Sequence, residues 1–296
     1  MKITNSMGLP EALVNAINVR RHNNPGRLSA TTLLNGIKQI HLNDRHWDEL
    51  EEDVVDHFYA IFGSAVHKVL ESEGKDEFAE EFVSYEVDGI TVTGRIDNYN
   101  MREGIISDYK SVGSYKIKLK DFEDWRKQGL IYAWLLIKNG FEVKKCQFIA
   151  LIKDHSKREA RRSSSYPQSP VFVYEFAVTP EGLEEIESFI KEKVAEYKKY
   201  IGVADDDIPP CSARERWEKA TTYAVKKEGN KKASKANIET LEEAEKIAAD
   251  KGKGFIVEKR PGESTRCAEY CSCCDFCNFY RDNVAVAEEA EEQEAA

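Results

Sequence analysis

The chain has 296 residues, of which 41% are hydrophobic and 32% charged, with a formal net charge of −10. That length can bury a substantial core and hold one large domain or two smaller ones. No uncharged apolar run reaches the ~20 residues needed to cross a bilayer, and the negative balance disfavours indiscriminate nucleic-acid binding, so any such contact must come from local patches.

The N-terminal stretch MKITNSMGLPEALVNAINVRRHNN lacks the apolar core and cleavage site of a signal peptide, which predicts a cytoplasmic protein with residues 1–25 partly irregular. Residues 28–42 read as a helix with Ser29 or Thr31 as its cap. Residues 47–73 read as a second helix, apolar at spacings of three and four and interrupted near Gly63. Three stretches with period-two features, 81–88, 90–100 and 104–112, predict strands joined by short turns. Residues 121–140 give the clearest helix, with Asp121 as cap, Gly140 at its end and a stripe of Leu130, Ala133, Trp134 and Ile137. A buried strand (145–154), a basic loop rich in Ser and Pro (155–170) and another strand (171–178) follow, then a helix at 180–202 with Pro180 in its first turn. The composition changes at DDDIPPC, beyond which 221–260 reads as two short strands, a helix at 240–250 and a strand at 254–260. The expected organisation is an α/β core over 1–202, a cysteine-bounded module with a basic ββαβ-like insertion over 203–281, and an acidic disordered tail over 282–296.

Charge is unevenly spread. Residues 211–235 hold eight Lys/Arg against three Glu, and 153–162 hold five against two acidic residues, whereas 288–296 carry five glutamates. The two basic runs are either solvated loops or footprints for a polyanion. The acidic tail is expected to be solubilising.

The stretch GRIDNYNMREGIISDYKSVGS carries the chemistry. On a strand, residues two apart share a face, so Asp108 and Lys110 point the same way, beside a neighbouring strand able to carry Asp97. Carboxylates converging at a sheet edge suit Mg2+, which takes one or two of them and leaves its other positions to water and phosphate oxygens. A lysine beside them can orient a water or stabilise charge developing on phosphorus. A surface hairpin with an ordinary cross-strand ion pair would use the same residues. His67 lies in the helix before the strands, and Gln128 and Tyr132 stand four apart on the face of the helix after them.

In this order the motifs H, GxxD, DxK and QxxxY resemble the RecB-like nucleases of the PD-(D/E)XK superfamily, which include phage and CRISPR-associated exonucleases. The resemblance runs from about Ser64 to Tyr132 and more weakly to Tyr280. It implies a restriction-endonuclease-like mixed sheet flanked by helices, and hydrolysis of DNA with Mg2+ or Mn2+. His67, Asp97, Asp108 and the backbone carbonyl of Tyr109 would hold the metal, with Asp97, Asp108 and Lys110 catalytic. Gln128 and Tyr132 would contact DNA or support the site. Exonucleolytic processing of DNA ends in recombination, repair or phage genome metabolism is the expected activity. A structure-specific endonuclease, or a non-catalytic DNA-binding or assembly subunit, is the alternative.

Five of the seven cysteines, Cys267, Cys271, Cys273, Cys274 and Cys277, fall within eleven residues. Disulfides are unusual in a cytosolic protein, and four thiolates suit either zinc or an iron–sulfur cluster. Cys146, in an apolar strand, reads as a small buried hydrophobe. The same resemblance implies a [4Fe–4S] cluster, here on Cys211, Cys267, Cys271 and Cys277, with structural Zn2+ the alternative; Cys273 and Cys274 are surplus, and either could displace one of these four. Many relatives place the lone cysteine near the N-terminus, where this chain has none. Metal binding would close the module, and its Lys226, Lys227, Lys231, Lys232 and Lys235 are expected to guide DNA toward Asp97 and Asp108.

Overall fold

The computed structural model describes residues 1–17, 24–71 and 78–286. The chain divides into two compact units, Met1–Val203 and Ala204–Ala296.

The first unit is built on a six-stranded mixed sheet flanked by helices. Its strands are β1 (Arg27–Ser29), β2 (Phe78–Val87), β3 (Ile90–Asn100), β4 (Ile105–Val112), β5 (Lys145–Ile152) and β6 (Val171–Ala177), and its principal helices are α1 (Ile37–Arg45), α2 (Phe58–Glu71), α3 (Glu123–Lys138) and α4 (Pro180–Lys199). The order β1-β3-β4-β5-β6 leaves β2 as a second partner of β3. β2 pairs antiparallel along nearly the whole of β3, from Phe78↔Tyr99 to Val87↔Ile90. The other edge of β3 is therefore shared. β1 runs parallel to Thr91–Thr93, whereas β4 pairs antiparallel only through Asn98↔Ser107, Tyr99↔Ile106 and Asn100↔Ile105. Beyond Asn98↔Ser107 the pairing of β3 with β4 ends, and the next residues are Asp97 and Asp108.

Alternation explains the sheet's core. Along β5 every second residue is buried (Cys146, Phe148, Ala150, Ile152), and on β3 Val92, Ile96 and Tyr99 are almost fully enclosed. α3 is apolar on most sides and buries every residue from Gln128 to Leu136, the pattern of a helix enclosed rather than lying on a surface. Its approach to the sheet is close because two glycines permit it. A Cβ on Gly129 would meet Phe176 at 2.9 Å and Phe148 at 3.0 Å, and a Cβ on Gly94 would meet Leu135 and Tyr132, each at 2.9 Å. Of the expected α3 stripe, Leu130, Ala133 and Trp134 are buried, but Ile137 is 36% exposed. Asp121 accepts from the Glu123 amide at 3.2 Å, one residue before the cap position that Phe122 occupies.

Other boundaries differ. The single helix expected at 28–42 is strand β1, a short helix Ala30–Leu33 capped by Ser29, and α1; Gly36 at the start of α1 breaks the run. The segment expected as helix from 47 onward holds strand Glu51–Asp53, paired with Lys2–Thr4, and a 3-10 turn Val54–His57 capped by Asp53. α2 then runs straight through Gly63 without interruption. The basic loop contains a short helix, Lys157–Arg162, capped by Ser156.

α3 and α4 are joined at their polar edges. Trp134 Nε1 donates to Glu187 Oε2 at 2.9 Å, and Lys191 and Lys138 lie 2.7 and 3.2 Å from the same carboxylate. These contacts, Lys191 and Trp134 foremost, hold the Glu187 carboxyl at about 2. A carboxyl depressed in the folded state contributes stability above its ordinary range and loses it as pH falls toward its folded value. Glu187→Gln is therefore expected to cost about 1 kcal/mol at neutral pH, the size of a partly screened charged hydrogen bond. Thermal melts of the two proteins should converge as pH drops from the ordinary carboxylate range to about 2.

The second unit folds around a three-stranded antiparallel sheet of β7 (Thr222–Lys227), β8 (Lys235–Ile238) and β9 (Phe255–Arg260), in the order β8-β7-β9, with helix α5 (Leu241–Lys251) packed on it. Val225, Ile238 and Ala244 form its small core, with Tyr223, Ile247 and Phe255 around them. Glu218–Lys219 pairs with Glu263–Ser264, bringing the segment after Cys211 beside the segment before Cys267. A helical turn spans Arg281–Ala285, across the boundary where the tail was expected to begin at 282, and the acidic run 288–296 lies outside the described residues. No described helix is long and apolar enough to cross a membrane.

Candidate active site

The end of the β3–β4 ladder sets the geometry. Asp97 replaces the missing rung with its side chain: Oδ2 accepts from the Tyr109 amide at 2.9 Å, while Oδ1 stands 3.2 Å from His67 Nδ1 on α2. The Tyr109 ring lies edge-on to His67, 6.4 Å between centroids. Asp108 and Lys110 do share a face, as alternation requires, with Lys110 Nζ 2.8 Å from Asp108 Oδ2. The Lys110 ammonium is thus the partner of that buried oxygen.

α3 closes the site from the other side. Gln128 Nε2 donates to Asp108 Oδ1 at 3.3 Å and to the Tyr132 hydroxyl at 2.8 Å. Both residues are 5% exposed. Gln128 thus reaches Asp108 and Tyr132 reaches Gln128, and neither faces solvent.

Burial governs the electrostatics. Asp108 is 2% exposed, and loss of hydration pushes its carboxyl up to about 6 against the opposing pull of the Lys110 ammonium. The hydrogen bond to Asp97 holds His67 above the ordinary histidine range, with partial burial opposing. Burial and the nearby Asp108 raise the Tyr132 phenol as well, so it stays a neutral partner for Gln128.

Asp97 and His67 open onto a cleft of about 560 Å3, lined also by Ala60, Gly63, Ser64, Lys68 and Arg95. Arg95 was missed in the sequence, although the period that pairs Asp108 with Lys110 also puts Arg95 on the face of Asp97. Lys68, beside His67, carried no comparable signal.

The donors suit a hard divalent cation: two carboxylates, one of them buried, and an imidazole. Among the described residues, however, no three such side chains already surround one point. Instead Asp97 pairs with His67, and Asp108 with Lys110.

In the second unit the Cys267 thiol is pushed up to about 12, by burial and then by its neighbours Cys271, Cys211 and Cys277. Those are the four thiols assigned from the sequence. Cys273 is buried beside the same group, its sulfur 3.6 Å from that of Cys271, and Cys271 is lowered to about 7, chiefly by that contact. Cys274 is influenced mainly by burial and Asp275. Cys146 is fully buried under α3 in the first unit, with its thiol pointing at the Gly129 carbonyl. Lys226 and Lys235 pair with Glu258 and Glu243, while Lys227, Lys231 and Lys232 are exposed on the β7–β8 hairpin.

No family model and no curated protein matches this chain. Among solved structures, it is similar to SSO0001 at a TM-score of 0.44 and 18% identity, over 62% of this chain and 85% of that one. It is also similar to the alkaline exonuclease LHK-Exo from Laribacter hongkongensis, at a TM-score of 0.36 and 11% identity, over 65% and 95% of the two chains. A phage-related exonuclease from Haemophilus somnus gives 0.31 and 15%, over 56% and 73%. Likenesses of this size leave the reading of the site to its own geometry.

Proposed function

We propose that the protein is a divalent-metal-dependent DNA nuclease that works from DNA ends. The observation carrying this reading is the convergence of Asp97, Asp108, Lys110, His67 and Gln128 where β3 and β4 part. Folding alone does not call for a carboxylate this deeply buried and held above its ordinary range. A cation would repay that cost.

Asp97, Asp108 and His67, with the Tyr109 carbonyl, would hold Mg2+ or Mn2+. When bound, the ion polarises a phosphoryl oxygen and lowers the pKa of a water. Lys110 supplies a positive charge beside the reacting phosphate and can orient the attacking water through its three donors. Gln128 fixes the rotamer of Asp108, and the buried Tyr132 hydroxyl fixes Gln128. Lys68 and Arg95 line the approach and suit phosphate oxygens. Comparison of linear with covalently closed circular DNA tests the preference for ends, and degradation of both at equal rates would make the protein an endonuclease.

Metal binding has a readout apart from cleavage. In metal-free buffer Asp108 holds its proton more tightly folded than unfolded, so its contribution favours the fold at low pH and is lost as pH rises through about 6. Asp108→Asn should therefore raise the melting temperature above that pH, by roughly 2 kcal/mol equivalent. Adding Mn2+ should stabilise the wild type and leave Asp108→Asn unmoved. An equal Mn2+ response in both proteins would remove Asp108 from the ligand set.

For the second unit we propose a [4Fe–4S] cluster on Cys211, Cys267, Cys271 and Cys277. Its support is the Glu218–Lys219/Glu263–Ser264 ladder that brings the segments after Cys211 and before Cys267 together, with Cys271, Cys211 and Cys277 acting on Cys267 and likewise on Cys273. Protein purified without oxygen should contain iron and absorb broadly near roughly 400 nm. Colourless protein with stoichiometric zinc would assign the site to Zn2+ instead. The exposed hairpin lysines are proposed to add sequence-independent phosphate contacts, seen as a shallower salt dependence of DNA binding when Lys227, Lys231 and Lys232 are neutralised.

A further inference from the structure

The apolar stripe of α2 does not face a core. Phe58 and Phe62 stand one turn apart on α2 with Tyr59 beside Phe58, and Val55 precedes them in the 3-10 turn, yet they are 39, 47, 63 and 40% exposed. The rings of Phe58, Tyr59 and Phe62 lie 5.7 to 6.3 Å from one another. Contiguous exposed aromatics of this kind mark a recognition surface rather than scattered surface hydrophobes.

Three neighbouring features identify what it recognises. Lys153 Nζ stands 4.1 Å from the centroid of the Tyr59 ring. It opens the basic run 153–162, whose Lys157, Arg158, Arg161 and Arg162 are exposed on the short helix that follows. That run is anchored to the end of catalytic strand β4: the Lys153 amide donates to the Val112 carbonyl at 3.0 Å, and the Ser114 amide to Asp154 Oδ1 at 2.6 Å. Next, the stripe continues into the catalytic cleft. Tyr59, Gly63 and His67 succeed one another at single-turn intervals, so Tyr59 lies ~12 Å along the helix from His67. Lastly, Gly63 weakens the middle of α2, although a Cβ there would meet nothing within 4 Å. Packing does not ask for glycine at a position that lines the cleft.

We propose that the Phe58–Tyr59–Phe62 face, with Lys153 and the basic helix behind it, is a base-stacking platform for single-stranded nucleic acid entering or leaving the cleft. The proposal rests on the nuclease reading and deepens it by naming the substrate: a single-stranded or frayed end. Aromatic rings accept any base, and a basic groove tracks the phosphates. An apolar protein partner would bury the Lys153 ammonium in the middle of its contact, whereas a nucleic-acid strand would set a phosphate against it.

The test uses the full chain in EDTA, with anisotropy of a labelled oligothymidylate and of a blunt duplex of equal length. Tyr59→Ala/Phe62→Ala should weaken single-strand binding roughly 5- to 150-fold, the range for loss of one stacked base, and leave duplex binding near wild type. Lys153→Ala should lower the salt slope by about one. Tyr59→Trp should keep affinity, and its indole emission should be quenched by the oligonucleotide. Unchanged single-strand affinity in the double variant, or indole emission indifferent to saturating oligonucleotide, overturns the proposal. So does a wild-type dimer that the double variant splits with DNA binding intact, which would assign the face to contact between copies. Cleavage in Mg2+ is scored separately: cleaving wild type with unaltered binding in the double variant removes the platform and keeps the nuclease, and stacking without cleavage does the reverse.

Discussion

Lys110→Ala is expected to lower metal-dependent DNA cleavage by about 10^2- to 10^3-fold, the usual cost of removing one group aimed at developing charge. The loss should appear at saturating Mg2+, because Lys110 is not a ligand. Its second effect falls on Asp108, whose carboxyl loses the ammonium 2.8 Å away and holds its proton still more tightly. The variant should therefore need a higher pH for half-maximal Mn2+ stabilisation than the wild type. Lys110→Arg keeps the charge but replaces a compact three-donor head with a planar fork, so it should restore the metal response more fully than the cleavage rate. A variant with normal cleavage would leave the lysine as a mere ion-pair partner.

Gly94→Val should damage the first unit without removing any polar group. The missing side chain of Gly94 leaves room for Tyr132 and Leu135, both 2.9 Å from where a Cβ would stand. Those side chains are 5% and 0% exposed, so they have little room to retreat. Overpacking of this kind costs ~2–3 kcal/mol, about 4–12 °C in melting temperature for a unit of this size. Cleavage should fall further than stability accounts for, because displacing Tyr132 moves Gln128 and with it Asp108. Gly94→Ala/Leu135→Val should recover part of the loss seen in Gly94→Ala, since the two positions are in contact and their effects should not add. Calorimetry with cleavage assays on the same preparations separates the two consequences.

Much of the site was legible because strands carry a strict period. Asp97, Asp108 and Lys110 could be placed on shared or neighbouring faces from alternation, and Gln128 and Tyr132 on one helical face from their spacing. What could not be read was which way α2 faces. FYAIF is apolar throughout, so its pattern fits a buried helix as well as an exposed aromatic one, and only packing shows that Tyr59 is open. Nor does local pattern reveal that β4 leaves β3 after three pairs while β1 takes Thr91–Thr93 on that edge. That is a long-range choice, and it is what opens the sheet at Asp97 and Asp108. The break of 28–42 into β1 and α1 has the same origin, since the pairing of Arg27–Ser29 with β3 outweighs a local helical preference.

The most direct test is end-labelled linear DNA, single-stranded and duplex, incubated with wild type and Asp108→Ala, each with Mg2+ and with EDTA. Release of short labelled products by the wild type alone, and only with Mg2+, is the predicted result. Cleavage that survives in Asp108→Ala or in EDTA, or no cleavage by folded wild type that Mn2+ stabilises, would contradict it.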